Sequence, residues 1–259
     1  MSRQHVTFEC AGETLVGTLD RGASRSGLLI VSGGNEIRSG TFGGQAALAA
    51  RIAAAGFPVF RFDRRGVGDS SGENLGFRES SEDILAANAK FRELCPQINR
   101  VVAFGNCDAA SALMLMSGDL CDALVLSNPW TFEDAAEDAL PPPSAIRSRY
   151  AEKLRNPAEL LRLLRGEVNM AKLMRGLWGA VEKAPEPNSL LQDMLDGLVG
   201  SSKPHVILIA EKDRTGQAFA VHWDGDSGDL YTCPGASHAY VEPHARNWLE
   251  TQVLGMLGG

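Results

Sequence analysis

A cysteine with small neighbours, in the segment Gly105-Asn-Cys107-Asp-Ala109, has the residue types and spacing of a catalytic nucleophile. An apolar run over 100–104 predicts a strand before it, and small residues predict a helix that begins near Asp108. Gly105 and Ala109 permit a sharp turn between the two, which would lift the thiol above the edge of a sheet. The N–H groups at the start of the helix would stabilise a thiolate and, later, the oxyanion of a tetrahedral intermediate. The pattern indicates acyl transfer by a nucleophilic cysteine.

The elements around this segment predict an α/β fold with a mostly parallel sheet. A strand hairpin is indicated over 6–19, before the first apolar run. Further strands are predicted over 28–31, 58–62, 100–104, 123–127, 205–210 and 229–232. Helices are predicted over about 45–55, 81–94 and 244–257, and from about 108 onward. Runs that are apolar on both faces are typical of parallel strands covered by helices on each side, so we expect helices on both faces of the sheet.

The alternation of strands and helices stops between 131 and 202. This stretch has no strand-like run, and helical patterns occur over 157–164 and 171–178. We therefore predict one α/β core over 1–130 and 203–259, with 131–202 inserted as a helical cap.

Charge is distributed unevenly along the chain. Residues 141–183 carry nine Lys or Arg and four Glu, so that this stretch is net +5 and the remainder is net −12. The stretch could be a solvated helix face, which is the usual meaning of a charge run. It could also bind an anionic substrate arm, such as the phosphopantetheine of coenzyme A or of a carrier protein, or touch a membrane surface.

Composition excludes several classes of function. A net charge of −7 over 259 residues argues against nucleic acid as a partner. No signal-peptide pattern and no transmembrane run occur, so a cytoplasmic location is expected. Five scattered cysteines without a CxxC pair predict neither a disulfide framework nor a zinc site. Dinucleotide-binding and P-loop motifs are missing, so no cofactor is expected.

Two motifs resemble a known family. Gly105-x-Cys107-x-Ala109 resembles the Gly-x-Ser-x-Gly nucleophile elbow of α/β-hydrolases, with cysteine for serine, as in dienelactone hydrolases, and alanine for the last glycine. The segment 63–70, Asp-Arg-Arg-Gly-Val-Gly-Asp-Ser, resembles a glycine-rich turn of the same family, for which we expect a structural role. With the Gly33-Gly34 pair, the motifs resemble the hydrolases associated with exosortase A and exopolysaccharide gene clusters. The resemblance implies an α/β-hydrolase fold and a role near exopolysaccharide or protein-sorting systems.

The resemblance also implies the other members of a catalytic triad. Asp213 follows a predicted strand where the family places its acid, and His238 ends a small-residue loop where the family places its histidine. His238 would take the thiol proton, and Asp213 would hold the imidazole and stabilise its charged form. Among the other histidines, His244 is the nearest competitor, although it reads as the start of the last helix. Some relatives place the acid after the preceding strand, which leaves Glu133 or Asp134 as alternatives.

An oxyanion hole requires two backbone donors. The N–H of Asp108, directly after the nucleophile, is the first candidate. The second is expected from the loop after the strand 28–31, where the family has His-Gly and this chain has Ser32-Gly33. That departure leaves the second donor open between Gly34 and Asn35.

These observations favour a hydrolase that acts on an ester or thioester through Cys107, His238 and Asp213. The expected substrate is a small acyl compound, either free or linked to coenzyme A or a carrier protein. An acyltransferase that uses the same triad is an alternative, because an acyl-thioenzyme is open to attack by water or by another acceptor. A non-catalytic scaffold that retains the fold is a second alternative.

Overall fold

The computed structural model of the chain describes residues 2–116, 121–132, 187–223 and 229–259. Eight strands form one sheet: β1 (Arg3–Cys10), β2 (Glu13–Asp20), β3 (Ser26–Val31), β4 (Val59–Phe62), β5 (Arg100–Asn106), β6 (Ala123–Ser127), β7 (His205–Ala210) and β8 (Leu230–Cys233). The described helices are α1 (Gly44–Ala54), α2 (Ser81–Leu94), α3 (Asp108–Leu115), α4 (Ser189–Gly200), α5 (Arg214–Ala220) and α6 (Pro243–Gly258), with a 3₁₀ turn at Thr41–Gly43 before α1.

The strand order is β1-β2-β4-β3-β5-β6-β7-β8. The β1–β2 and β2–β4 pairs are antiparallel, and the other five pairs are parallel. The predicted mostly parallel sheet, which begins with an antiparallel hairpin, is therefore confirmed. Because β3 and β5 to β8 run in the same direction, the loops at their carboxyl ends meet at one edge of the sheet.

The hydrophobic core lies on both faces of the sheet, because neighbouring residues of a strand point to opposite sides. In β3, Leu29 and Val31 pack into one cluster with α2, α3 and α4, whereas Leu28 and Ile30 pack into a second cluster with α1 and α6. All four side chains are fully buried. This arrangement confirms the predicted helices on both faces.

One described helix lies inside the range predicted as the cap. Helix α4 buries Leu190, Leu191, Met194 and Leu198 in the same cluster as α3, so it packs as part of the core. Residues 133–186, which include both helical patterns and the basic stretch, lie outside the described residues. The domain limits stay a prediction. In the described ranges, no helix is long and apolar enough to cross a membrane.

Candidate active site

Three of the loops at the carboxyl edge carry the residues predicted to do chemistry. Cys107 directly follows β5, Asp213 lies three residues beyond β7, and His238 lies five residues beyond β8. Strand β6 separates β5 from β7, and β8 lies next to β7. The topology thus brings a thiol, a carboxylate and an imidazole to one edge of the sheet from distant parts of the chain.

The turn at Cys107 has the strained backbone of a nucleophile elbow. Cys107 has φ +63° and ψ −130°, and its N–H donates to the Ser127 carbonyl at 2.9 Å. A β-carbon on Gly105 would lie 2.7 Å from the backbone of Ala109, which is closer than real contacts allow. Glycine at 105 is therefore a steric requirement of the strand-to-helix turn.

Cys107 differs from the other cysteines in its exposure. It is partly exposed, whereas Cys10, Cys95, Cys121 and Cys233 are buried. Burial raises the pKa of Cys10 to about 11 and that of Cys121 to about 12, and it also raises the pKa values of Cys95 and Cys233. Because the thiolate is the reactive form, the four buried thiols are poor nucleophiles.

His238 and Asp213 form a hydrogen-bonded pair. The distance from His238 Nδ1 to Asp213 Oδ1 is 2.8 Å. The other carboxylate oxygen of Asp213 accepts from the N–H of Gly216 at 2.6 Å, so that Asp213 also caps the start of α5. Only 7% of Asp213 is exposed. The helix start and the imidazole thus hold this carboxylate in one orientation.

The surroundings of His238 favour its charged form. Burial lowers the pKa of His238, but hydrogen bonds with Asp213 and Cys107, together with the charges of these two groups, outweigh burial and raise the pKa to about 10. The imidazole is thus hydrogen-bonded to the predicted acid at Nδ1, and the predicted nucleophile also favours its protonated form. Such an arrangement can hold a thiolate–imidazolium pair.

The competing residues from the sequence analysis lie elsewhere or outside the described residues. His244 is exposed, and its Nε2 contacts the carbonyl of Pro234 at 2.9 Å. Glu133 and Asp134 lie outside the described residues. Asp213 is the carboxylate that the described residues place against His238.

The candidate oxyanion donors lie close together, and one of them has a partner. Asp108 is the first residue of α3, where backbone N–H groups have no acceptor within the helix. The N–H of Gly34 donates to the Asp108 carboxylate at 2.5 Å. A β-carbon on Gly33 would lie 2.5 Å from the same carboxylate, so the loop can approach α3 only with glycine there. The side chain of Asn35 accepts a hydrogen bond from Asn74 at 2.8 Å.

A buried arginine of the glycine-rich turn 63–70, for which a structural role is predicted, supports this loop. Arg64 is 3% exposed; its guanidinium donates to the Gly34 carbonyl and lies 3.7 Å from the Asp108 carboxylate. Burial raises the pKa of Asp108, although the Arg64 charge and the Gly34 N–H oppose that effect. Burial thus outweighs the two contacts that favour the charged carboxylate.

The glycine-rich turn 63–70 contributes structure. The Asp63 carboxylate accepts from the N–H of Arg38 at 2.5 Å and of Asp69 at 3.1 Å. Ser70 Oγ donates to the Asp63 carbonyl at 2.8 Å and accepts from the N–H of Val16 at 2.9 Å. These contacts tie the turn to β2 and to the loop after β3. Arg38, in the loop after β3, forms ion pairs with Asp63 and Asp69.

A small, partly open cavity of about 110 Å³ lies between α1, α6 and the loops at the carboxyl edge. Its lining includes Asn106 and Ala239, which are the chain neighbours of Cys107 and His238. Apolar side chains such as Phe104, Leu48 and Leu249 line other parts of it. In the part of the chain that the structure describes, no three His, Cys, Asp or Glu residues group closely enough to hold a metal ion.

Comparisons with known proteins agree with this architecture. A family model described as "Alpha/beta hydrolase family" matches residues 28–250. A comparison of the sequence with curated proteins finds no match.

Solved structures with a similar fold span nearly the whole chain. DcsB, solved with its substrate analogue, has a TM-score of 0.64 at 15% identity, and 99% of each chain is covered. An esterase from Pyrococcus furiosus has a TM-score of 0.60 at 14% identity, covering 99% of this chain and 90% of the esterase. Est1E from Butyrivibrio proteoclasticus, solved with ferulic acid bound, has a TM-score of 0.60 at 17% identity, covering 98% and 100%. At these identities the likeness is one of fold.

Proposed function

The chain belongs to the alpha/beta hydrolase family, and from that membership we propose that it hydrolyses an ester or thioester by acyl transfer through Cys107, His238 and Asp213. The observation that carries the proposal is the pairing of His238 with Asp213 at 2.8 Å, beside a partly exposed cysteine on a strained elbow. The resemblance to exosortase-associated hydrolases suggests exopolysaccharide or protein-sorting systems as the cellular context.

Acylation begins with the transfer of the thiol proton from Cys107 to Nε2 of His238. The sulfur attacks the substrate carbonyl, the new carbon–sulfur bond forms, and the carbonyl oxygen becomes an oxyanion. Backbone N–H groups of Asp108 and of the loop after β3 stabilise that charge. When the intermediate collapses, the bond to the leaving group breaks, and His238 donates its proton to the leaving group.

Deacylation repeats these steps with water as the nucleophile. His238 takes a proton from water, and the water oxygen attacks the thioester of Cys107. The carbon–sulfur bond then breaks, the carboxylic acid leaves, and the Cys107 thiolate is restored beside the imidazolium of His238. Asp213 stabilises each imidazolium through its hydrogen bond to Nδ1.

The cavity beside the reactive pair is the proposed acyl pocket. The apolar part of its lining, including Leu48, Phe104 and Leu249, suits a hydrocarbon chain. Esterases among the proteins of similar fold favour an ester substrate. The basic stretch 141–183 is the reason to include thioesters of coenzyme A or of a carrier protein in this proposal.

Pre-steady-state kinetics with a chromogenic ester test the proposed function. We expect a burst of one product per active site, followed by slower turnover, and loss of both in Cys107→Ala. Cys95→Ala is the matched control, because that thiol is buried and should not contribute. Turnover by Cys107→Ala at the wild-type rate would refute the proposal. Added alcohol or amine acceptors in the same assay distinguish hydrolysis from acyl transfer to another acceptor.

A further inference from the structure

A buried asparagine, which the proposed triad does not use, connects all three loops of the site. Asn128 directly follows β6, is fully buried and has φ +43°, a backbone conformation that asparagine tolerates better than most residues. Its Oδ1 accepts from the N–H of Ala210 at 2.8 Å. Its Nδ2 contacts Asn106 Oδ1 at 3.0 Å and the His238 carbonyl at 3.3 Å. The amide thus joins the end of β7, the residue before the nucleophile and the histidine loop.

These contacts determine the direction of a chain of hydrogen bonds. A backbone N–H can only donate, so Ala210 requires the oxygen of Asn128 on its side. The Asn128 amino group must then face Asn106, whose oxygen accepts from it. This leaves the Asn106 amino group facing His238, 3.4 Å from Nε2 and 3.4 Å from the carbonyl oxygen. With both amides reversed, the Asn128 amino group would face the Ala210 N–H, and both side-chain oxygens would face the His238 carbonyl oxygen.

The last link of this chain affects the nitrogen that exchanges protons in the proposed reaction. Nδ1 of His238 faces a carboxylate, which only accepts, so Nδ1 carries a proton. Nε2 faces the amino group of Asn106, a donor, which favours Nε2 without its proton. The titratable side chains that act on the ring among the described residues, Asp213 and Cys107, have the opposite effect and favour the imidazolium.

We propose that Asn128 and Asn106 are positioning residues, whose amide chain lowers the proton affinity of His238 Nε2 and so helps the imidazolium release its proton to the leaving group. The inference rests on the proposed function for its catalytic meaning. The 3.4 Å contact is at the long end for a hydrogen bond, so its effect is modest. Removing it should raise the pKa of His238 by roughly 0.5 to 1.

The test is a titration of His238 by NMR, which needs no turnover. Asn106→Ala removes the donor directly. Asn128→Gly introduces glycine, which tolerates the left-handed backbone at this position. It also removes the amide that holds the Asn106 oxygen, so that the Asn106 amide can turn its oxygen towards Nε2. Both variants should raise the pKa of His238, shift the alkaline limb of kcat/KM upward, and lower kcat several-fold with little change in KM.

Ser111→Ala is the matched control. Ser111 is fully buried one turn beyond the nucleophile, and its hydroxyl contacts the Trp130 carbonyl at 2.7 Å and the Cys107 carbonyl at 3.4 Å. None of its recorded contacts is with Asn106, Asn128 or His238. It should leave the pKa of His238 unchanged. An unchanged or lower pKa in Asn106→Ala would overturn the inference, even if Asn128→Gly fails to fold. Retained turnover in Cys107→Ala would instead refute the proposed function, and the titration would still decide whether the amide chain acts on His238.

Discussion

At the scale of single residues, the site depends on how the surroundings distribute charge over His238. Asp213 and Cys107 raise its pKa to about 10, although burial lowers it. The pKa of His238 in the folded protein lies above its value of about 6.5 in the unfolded chain. The ion pair of His238 therefore stabilises the fold to its full extent at a pH below about 6.5. This stabilisation is lost as the pH rises through about 10.

Asp213→Asn tests the role of the acid. Asparagine can still cap α5 by accepting from Gly216, but it loses the charge that stabilises the imidazolium. We expect kcat to fall by about a thousand- to ten-thousand-fold, and the alkaline limb of kcat/KM to move below the wild-type position near pH 10. A pH–rate profile checks both. A wild-type kcat in Asp213→Asn, together with an unshifted alkaline limb of kcat/KM, would show that another group holds His238.

Asp108→Asn tests the carboxylate beside the candidate oxyanion hole. The Asp108 carboxylate accepts the hydrogen bond of the Gly34 N–H, which is a candidate donor to the oxyanion. The negative charge of this carboxylate also opposes the oxyanion that forms next to it. Removing the charge should raise kcat/KM up to about tenfold. The matched control is Asp122→Asn, an acid at the opposite edge of the sheet that pairs with Arg92. A lower kcat/KM in Asp108→Asn would contradict this account.

At the scale of elements, the elbow depends on the close approach of β5 and α3. Gly105→Ala forces a β-carbon against the Ala109 backbone, so the free energy of unfolding should fall by about 1–3 kcal/mol. Gly255→Ala in α6 is the control, because nothing lies within 4 Å of its β-carbon position. It should stabilise the fold by about 0.4–1 kcal/mol. Denaturant unfolding of both variants measures the difference; equal stabilities would contradict the steric argument.

The strands were predicted well from the sequence, because short runs that are apolar on both faces are typical of parallel strands covered by helices on each side. The predicted helix over 81–94 coincides with α2, and the predicted last helix differs from α6 by one residue at each end. Helix α5 was missed. It has only seven residues, and it depends on the Asp213 cap and on burial of Phe219, which local propensity does not reveal.

The predicted site residues came from motifs with fixed spacing around a turn. The contacts of Asn128 and Arg64 could not be predicted in this way, because each joins segments that are far apart in the chain. Asn128 contacts Ala210 and His238, which lie 82 and 110 residues further along the chain, and Arg64 contacts Gly34, which lies 30 residues earlier. Polar contacts between distant segments produce no periodic pattern in the local sequence.

At the scale of the whole molecule, the cavity between α1 and α6 should determine which acyl groups enter. Ala47 is exposed and lines this cavity. Ala47→Trp should raise KM several-fold for long acyl esters and leave acetyl esters unaffected, because a bulky ring narrows the space for the chain. Ala54→Trp on the same helix, outside the lining, is the control. Equal KM changes for short and long esters would show that the acyl chain binds elsewhere.

The proposed mechanism requires that the sulfur of Cys107 carries the acyl group during turnover. Rapid acid quench with an activated ester, followed by mass mapping of the adduct, tests it most directly. We predict one acyl group per chain, located on the peptide that contains Cys107 and lost in Cys107→Ala. Rapid turnover with the acyl group on a different residue, or with no adduct at all, would contradict the account.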